Sequence, residues 1–132
     1  MIYFTKALDY AVRALVCMAR HPHESMDVKT IARSEGLPEV FLAKLLQKLK
    51  KAGFISSKRG ISGGFVLEIN PVNISIMDVI EAVEGMDKMV CGLEKGSHLA
   101  EKRIWGELSS YIEKHLRGVT VARLVADTES WY

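Results

Sequence analysis

The run DVKTIARSEGLPEVFLAKLLQKLKKAGFISSKRGISGGFVL, from Asp27 to Leu67, constrains the fold of this chain more than any other part. Asp27 is a good N-cap for a helix that Gly36 closes. Pro38 suits the first turn of the next helix, where its missing N–H costs nothing, and that helix runs to about Ala52 before Gly53 stops it. Phe54 to Ser57 and Phe65 to Ile69 then read as two strands around a turn tipped by Lys58, Arg59 and a glycine pair. Two short helices followed by a basic hairpin can place one helix in a DNA groove with a finger beside it.

The details favour that arrangement. Helix-turn-helix units need a small residue where the helices cross and a glycine in the turn, and Ala32 and Gly36 stand four apart. Leu42, Leu45, Leu46 and Leu49 form one apolar stripe at i, i+3, i+4, i+7, with Phe41 at its edge. Val40, Lys44, Lys48 and Lys51 point away from it. Val40, Phe41 and Lys44, next to Pro38, are therefore candidates for base edges, where apolar groups meet thymine methyls and lysine reaches guanine acceptors. Lys48 and Lys51 are candidates for phosphates. In the hairpin, Gly60, Gly63 and Gly64 permit a tight tip and close approach to another molecule. Arg59 beside Gly60 suits a narrow minor groove, and Lys58 and Ser62 are natural phosphate partners.

The charge is distributed accordingly. Residues 1–70 hold eleven Lys/Arg against six Asp/Glu, and the remaining 62 hold seven against ten, although the whole chain carries only +2. Between Val40 and Gly64 there are six basic residues and no acidic one, which points to a polyanionic partner. No apolar run approaches the roughly 18 residues of a membrane span. Met1 to Arg13 lacks the pattern of a secretory signal, and two cysteines make no disulfide framework, so a cytoplasmic protein is expected.

Elsewhere, Thr5 can cap a helix to about Arg20, ended by His21-Pro22-His23. Ser75 caps another from about Ile76 to Val83, and Glu84 to Gly96 reads as a loop. A long helix from Ser97 carries Leu99, Trp105, Leu108, Ile112, Leu116 and Val119 at spacings of three, four and six; Gly118 interrupts it and Thr120 can recap it. The stripe Trp105, Leu108, Ile112, Leu116 and Val119 is longer than one small domain needs, as a dimer seam would be.

The start TKALDYAVRAL, the unit IARSEGLPEVFLAKLLQKLKKAGFISSKRGISGGFVL and the later ISIMDVIEAVEG resemble the IscR/NsrR/CymR-type regulators of the Rrf family over nearly the whole chain. The SSKRGxxGGF wing is the most specific part of the match. The resemblance implies a homodimeric winged-helix transcription factor on a palindromic operator, with the recognition helix in the major groove and the wing in the minor groove. It also implies that the long C-terminal helix pairs two subunits.

Many such relatives carry three cysteines before the long helix and bind an iron–sulfur cluster there. This chain departs from that pattern. Cys91 lies in the right loop, but Ser97 and Arg103 stand at the spacing of the other two. Cluster ligation takes four ligands, mostly thiolates, so the usual site is not expected. Asp9 matches an acidic position that ligates a cluster in nitric-oxide-sensing relatives, and His98 and His115 are further conceivable ligands. Cys91 is otherwise a candidate reactive thiol with Lys88 and Lys95 nearby, or a remnant in a chain that responds to a small ligand or partner protein. Cys17, in an apolar helical context, reads as inert core. A cysteine hydrolase built on Cys91 and His98 lacks an orienting acid and a nucleophile turn, so no catalytic residue is assigned.

The expectation is a mainly α fold with a small β-hairpin wing: a winged helix-turn-helix over residues 1–83, a sensor or linker loop over 84–96, and a dimerisation helix and tail over 97–132. Its function is transcriptional regulation, with repression the expected sign. The rival class is a protein-interaction adaptor that uses the same fold without reading DNA.

Overall fold

The computed structural model describes residues 4–61, 63–85 and 99–131. Helix α1 (Lys6–Ala19) opens on Thr5, whose side chain accepts a hydrogen bond from the Leu8 N–H. Its inward face is Leu8, Ala11, Ala14, Leu15, Cys17 and Met18, and the two alanines let neighbouring helices approach. Helix α2 (Val28–Glu35) starts at Asp27, which accepts from the Thr30 N–H at 2.7 Å. It ends at Gly36 with φ 66° and ψ 39°, a left-handed cap that favours glycine.

Helix α3 (Glu39–Lys51) follows within three residues, with Pro38 as its N-cap, one position ahead of its expected place in the first turn. Pro38 has no side-chain donor or acceptor, so its carbonyl does the work, accepting from the Leu42 N–H at 3.0 Å. The four leucines of α3 are all buried. Together α1, α2 and α3 enclose a three-helix core.

The hairpin pairs β1 (Ile55–Lys58) with β2 (Gly64–Leu67), Ile55 opposite Leu67 and Lys58 opposite Gly64. Both strands start or end one residue nearer the tip than the periodicity suggests, and β2 stops two residues short of Ile69, because ladder bonding and not hydrophobicity sets their ends. Beyond β2, Asn70 accepts from the Val72 N–H and a single 3-10 turn (Pro71–Asn73) redirects the chain. Helix α4 (Ile76–Val83) begins with a capping box: Ser75 accepts from the Asp78 N–H at 3.0 Å and the Asp78 carboxylate accepts from the Ser75 N–H at 2.9 Å.

Helix α5 (Leu99–Arg117) and helix α6 (Val121–Trp131) are separated at Gly118, and the Thr120 side chain accepts from the Arg123 N–H to start α6. The break is pinned to the N-terminal elements. Ile76 donates to the Val119 carbonyl and Val121 to the Ile74 carbonyl, each at 2.9 Å. Leu116 and Val121 thereby join the core of the first four helices, and α6 packs along α1. The long apolar stripe of α5 thus has two surroundings. Ile112, Leu116 and Val119 pack on the core, whereas Trp105 and Leu108 are 45% and 48% exposed where the helix runs past it.

Among the described residues no helix is long and apolar enough to cross a membrane.

Candidate nucleic-acid interface

The buried leucines of α3 turn its other face outward. Val40 is 75% exposed, and Pro38, Lys44 and Lys51 are exposed beside it. Phe41 is half-buried, its ring edge-on to Tyr10 of α1 at 5.8 Å between centroids. Part of its apolar surface is therefore spent on holding α3 to α1, with the outer part still open.

Lys48 is placed differently from its neighbours. Its Nζ donates to the Val83 carbonyl at the end of α4, at 3.1 Å. One of the lysines expected to meet phosphate is thus already engaged within the chain.

The wing is positioned by a backbone contact that the sequence conceals. Met26, just ahead of α2, pairs with Phe65 of β2: the Met26 N–H donates to the Phe65 carbonyl at 2.9 Å and the Phe65 N–H to the Met26 carbonyl at 2.7 Å. A Cβ on Gly64 would fall 2.5 Å from the Met26 carbonyl carbon. A Cβ on Gly63 would fall 2.7 Å from the carbonyl oxygens of Gly60 and Lys58. These two glycines therefore admit the chain's own backbone. That corrects their reading as glycines that let another molecule come close; Gly60 has φ 116° and open space around it. Lys58, Arg59 and Gly60 are exposed, and Ser62 lies outside the described residues.

Lys44, Lys51, Lys58 and Arg59 form no ion pair with a described residue, whereas Arg103, Arg117 and Arg123 are all paired. Arg117 meets Glu81 at 2.6 Å and Glu113 at 3.1 Å, and these hydrogen bonds raise its pKa further. Lys44, Lys51, Lys58 and Arg59 thus have no counter-charge among the described residues.

Some exposed residues have no counterpart among the expected site residues. Ile61 at the wing tip is fully exposed, and Ile104 and Tyr111 flank Trp105 and Leu108 on α5. A signal for the latter pair was present, since 104, 108 and 111 lie on one helical face. Ile61, between Gly60 and Ser62, offers no periodicity to read.

The candidate sensor residues are scattered. Cys91 and His98 lie outside the described residues. Asp9 is 61% exposed and pairs with Arg13 at 3.7 Å, while Arg13 also donates to the Glu35 carbonyl. His115 is exposed at the end of α5. Cys17 is 3% exposed, its thiol facing Ser34, and burial raises its pKa. Among the described residues no three His, Cys, Asp or Glu side chains converge as a metal site.

With this geometry in view, comparison with known proteins is informative. The model of the family described as "Rrf2: Iron-dependent Transcriptional regulator" matches residues 4–127. The HTH-type transcriptional regulator IscR of Aliivibrio salmonicida is 34% identical over 126 residues, covering 91% of this chain and 75% of the relative. Among solved structures, T. potens IscR superposes with a TM-score of 0.83 at 30% identity, over 98% of this chain and 90% of that one. CymR, the global cysteine regulator of B. subtilis, superposes with a TM-score of 0.83 at 25% identity, over 96% and 98%. These relatives are transcriptional regulators and not enzymes.

Proposed function

Because the chain belongs to the Rrf2 family of DNA-binding transcriptional regulators, we propose that it acts as a homodimer on a two-fold symmetric operator, most simply as a repressor in the cytoplasm. The N-terminal part of α3, with Pro38, Val40, Phe41 and Lys44, enters the major groove. Lys51, Lys58 and Ser62 meet phosphates, and Arg59-Gly60 enters the minor groove. The observation that carries this reading is the cluster of Lys44, Lys51, Lys58 and Arg59, all exposed on α3 and the wing and none in an ion pair with a described residue.

The second copy belongs on the outer part of α5. Ile104, Trp105, Leu108 and Tyr111 are large apolar side chains exposed together on one helix. A two-fold axis through that strip would cover it on both subunits and set two reading helices at one spacing.

The family description implies iron, but the donor set does not fit a thiolate cluster. The chain has two cysteines, and one of them, Cys17, is buried in the core with its pKa raised. At the spacing of a third loop cysteine stands Arg103, exposed and paired with Glu107 at 3.4 Å. The function is therefore derived without a cluster step, and Cys91 stays a candidate thiol sensor beside an alternative small ligand or partner protein.

Selection of bound duplexes from a random pool, followed by hydroxyl-radical footprinting, tests the proposal. A two-fold symmetric consensus with minor-groove protection outside each half-site is expected. An asymmetric consensus, or none, would leave the adaptor reading in its place.

A further inference from the structure

We propose that Lys48 is a positioning residue of the DNA reader, locking α3 to the C-terminal end of α4, and is not one of its phosphate contacts. The inference rests on the DNA-reading role of α3. Lys44, Lys48 and Lys51 share the outward side of one helix, yet only Lys48 has an internal partner, the Val83 carbonyl at 3.1 Å.

That carbonyl needs one. The last carbonyls of a helix have no intrahelical donor, and the helix dipole makes that end negative. A basic residue in a helix's own last turn can supply a donor, as α2, α3 and α5 could, but α4 has none. Lys48 delivers a cation from the neighbouring helix, over the buried Val83 side chain. The same helix end is held from the other side by the Thr5 hydroxyl, which donates to Glu84. α4 is thus tied to the N-cap of α1 and to the last turn of α3, and the tilt of the reading helix is referred to both.

Tilt matters unequally for the two kinds of DNA binding. Contacts to base edges demand placement within a fraction of an ångström, whereas attraction to the phosphate chain tolerates a rocking helix. Removing a positioning bond should therefore weaken binding to a selected sequence and spare binding to DNA in general. Removing a phosphate contact should weaken both and lower the salt dependence.

The test uses full-length protein, a duplex selected by the wild type from a random pool, and calf thymus DNA. Lys48→Met keeps the exposed stem and removes the donor. It is expected to bind the selected duplex about tenfold more weakly, the loss of a charge-assisted hydrogen bond. Affinity for calf thymus DNA and the salt slope should stay at wild-type values. Lys48→Arg, whose guanidinium can donate to the same carbonyl, should restore selectivity. Lys51→Ala, which removes one phosphate contact from each subunit, provides the contrast, lowering the slope by about 2 on both DNAs. Should Lys48→Met lose helicity, Lys48→Gln gives the same comparison. An equal loss on both DNAs with a slope lowered by about 2, or no loss at all, would overturn the proposal while leaving the DNA reader intact. A wild type that selects no duplex and binds none in a salt-sensitive way would overturn both.

Discussion

Replacing Gly64 by alanine should unseat the wing from the helix-turn-helix unit. The added Cβ would meet the Met26 carbonyl carbon at 2.5 Å, its oxygen at 2.6 Å and the Asp27 nitrogen at 2.7 Å, with φ at 155°. All three are backbone atoms, so no side chain can swing aside. Relief requires β2 to move away from Met26, giving up the two Met26–Phe65 hydrogen bonds of 2.9 and 2.7 Å. Overpacking costs about 1–3 kcal/mol, and each lost hydrogen bond about 1 kcal/mol net. Partial relaxation trades one cost against the other, so roughly 3 kcal/mol is expected, or a melting point lower by about 10 °C for a domain of this size. Gly106→Ala, in the exposed part of α5 with nothing within 4 Å of its Cβ, should instead stabilise by up to about 1 kcal/mol through helix propensity. Thermal unfolding followed by circular dichroism at one protein concentration reads both. A Gly64→Ala protein melting within about 2 °C of wild type would refute the close backbone approach as the wing's anchor.

Trp105→Asp combined with Leu108→Asp should convert a dimer to a folded monomer by light scattering, since both side chains are exposed on the isolated subunit; unchanged mass would remove α5 as the seam. Cys17 should resist alkylation in native protein and react at an ordinary rate once unfolded, because burial raises its pKa; rapid native labelling at Cys17 would contradict its burial. Hydrogen bonding to Thr30 lowers the pKa of Asp27, so its contribution to stability is fully present above the ordinary carboxylate pKa of about 3.9 and disappears as pH falls through the lower folded value. Asp27→Asn, which keeps an acceptor without the titration, should flatten the acid limb of the stability profile, and an unaltered limb would count against the cap.

Local chemistry carried most of the fold. Thr5, Asp27, Gly36 and Ser75 cap helices where their side chains or lack of one demand it, and α4 begins and ends where the spacing predicts. The divided role of α5 was not legible, because a periodic stripe shows that a face is apolar and not what covers it. Leu116 belongs to the core and Leu108 does not, although both lie on the same stripe. Lys48 and Lys44 were indistinguishable for a related reason: the partner of Lys48 is a backbone carbonyl thirty-five residues away, to which any sequence contributes an identical group. The anchoring role of Gly64 was hidden likewise, since its neighbour is the backbone of Met26.

The central claim is that Lys44, Lys51, Lys58 and Arg59 are left unpaired for the DNA polyanion, and the salt dependence of duplex binding tests it most directly. Each phosphate neutralised contributes roughly 0.9 to the slope of log affinity against log salt. Two subunits each presenting these four cations predict a steep slope, on the order of 7 if all engage. Lys51→Ala or Lys58→Ala in both subunits should lower it by about 2. A slope near zero, or one indifferent to both substitutions, would contradict the account.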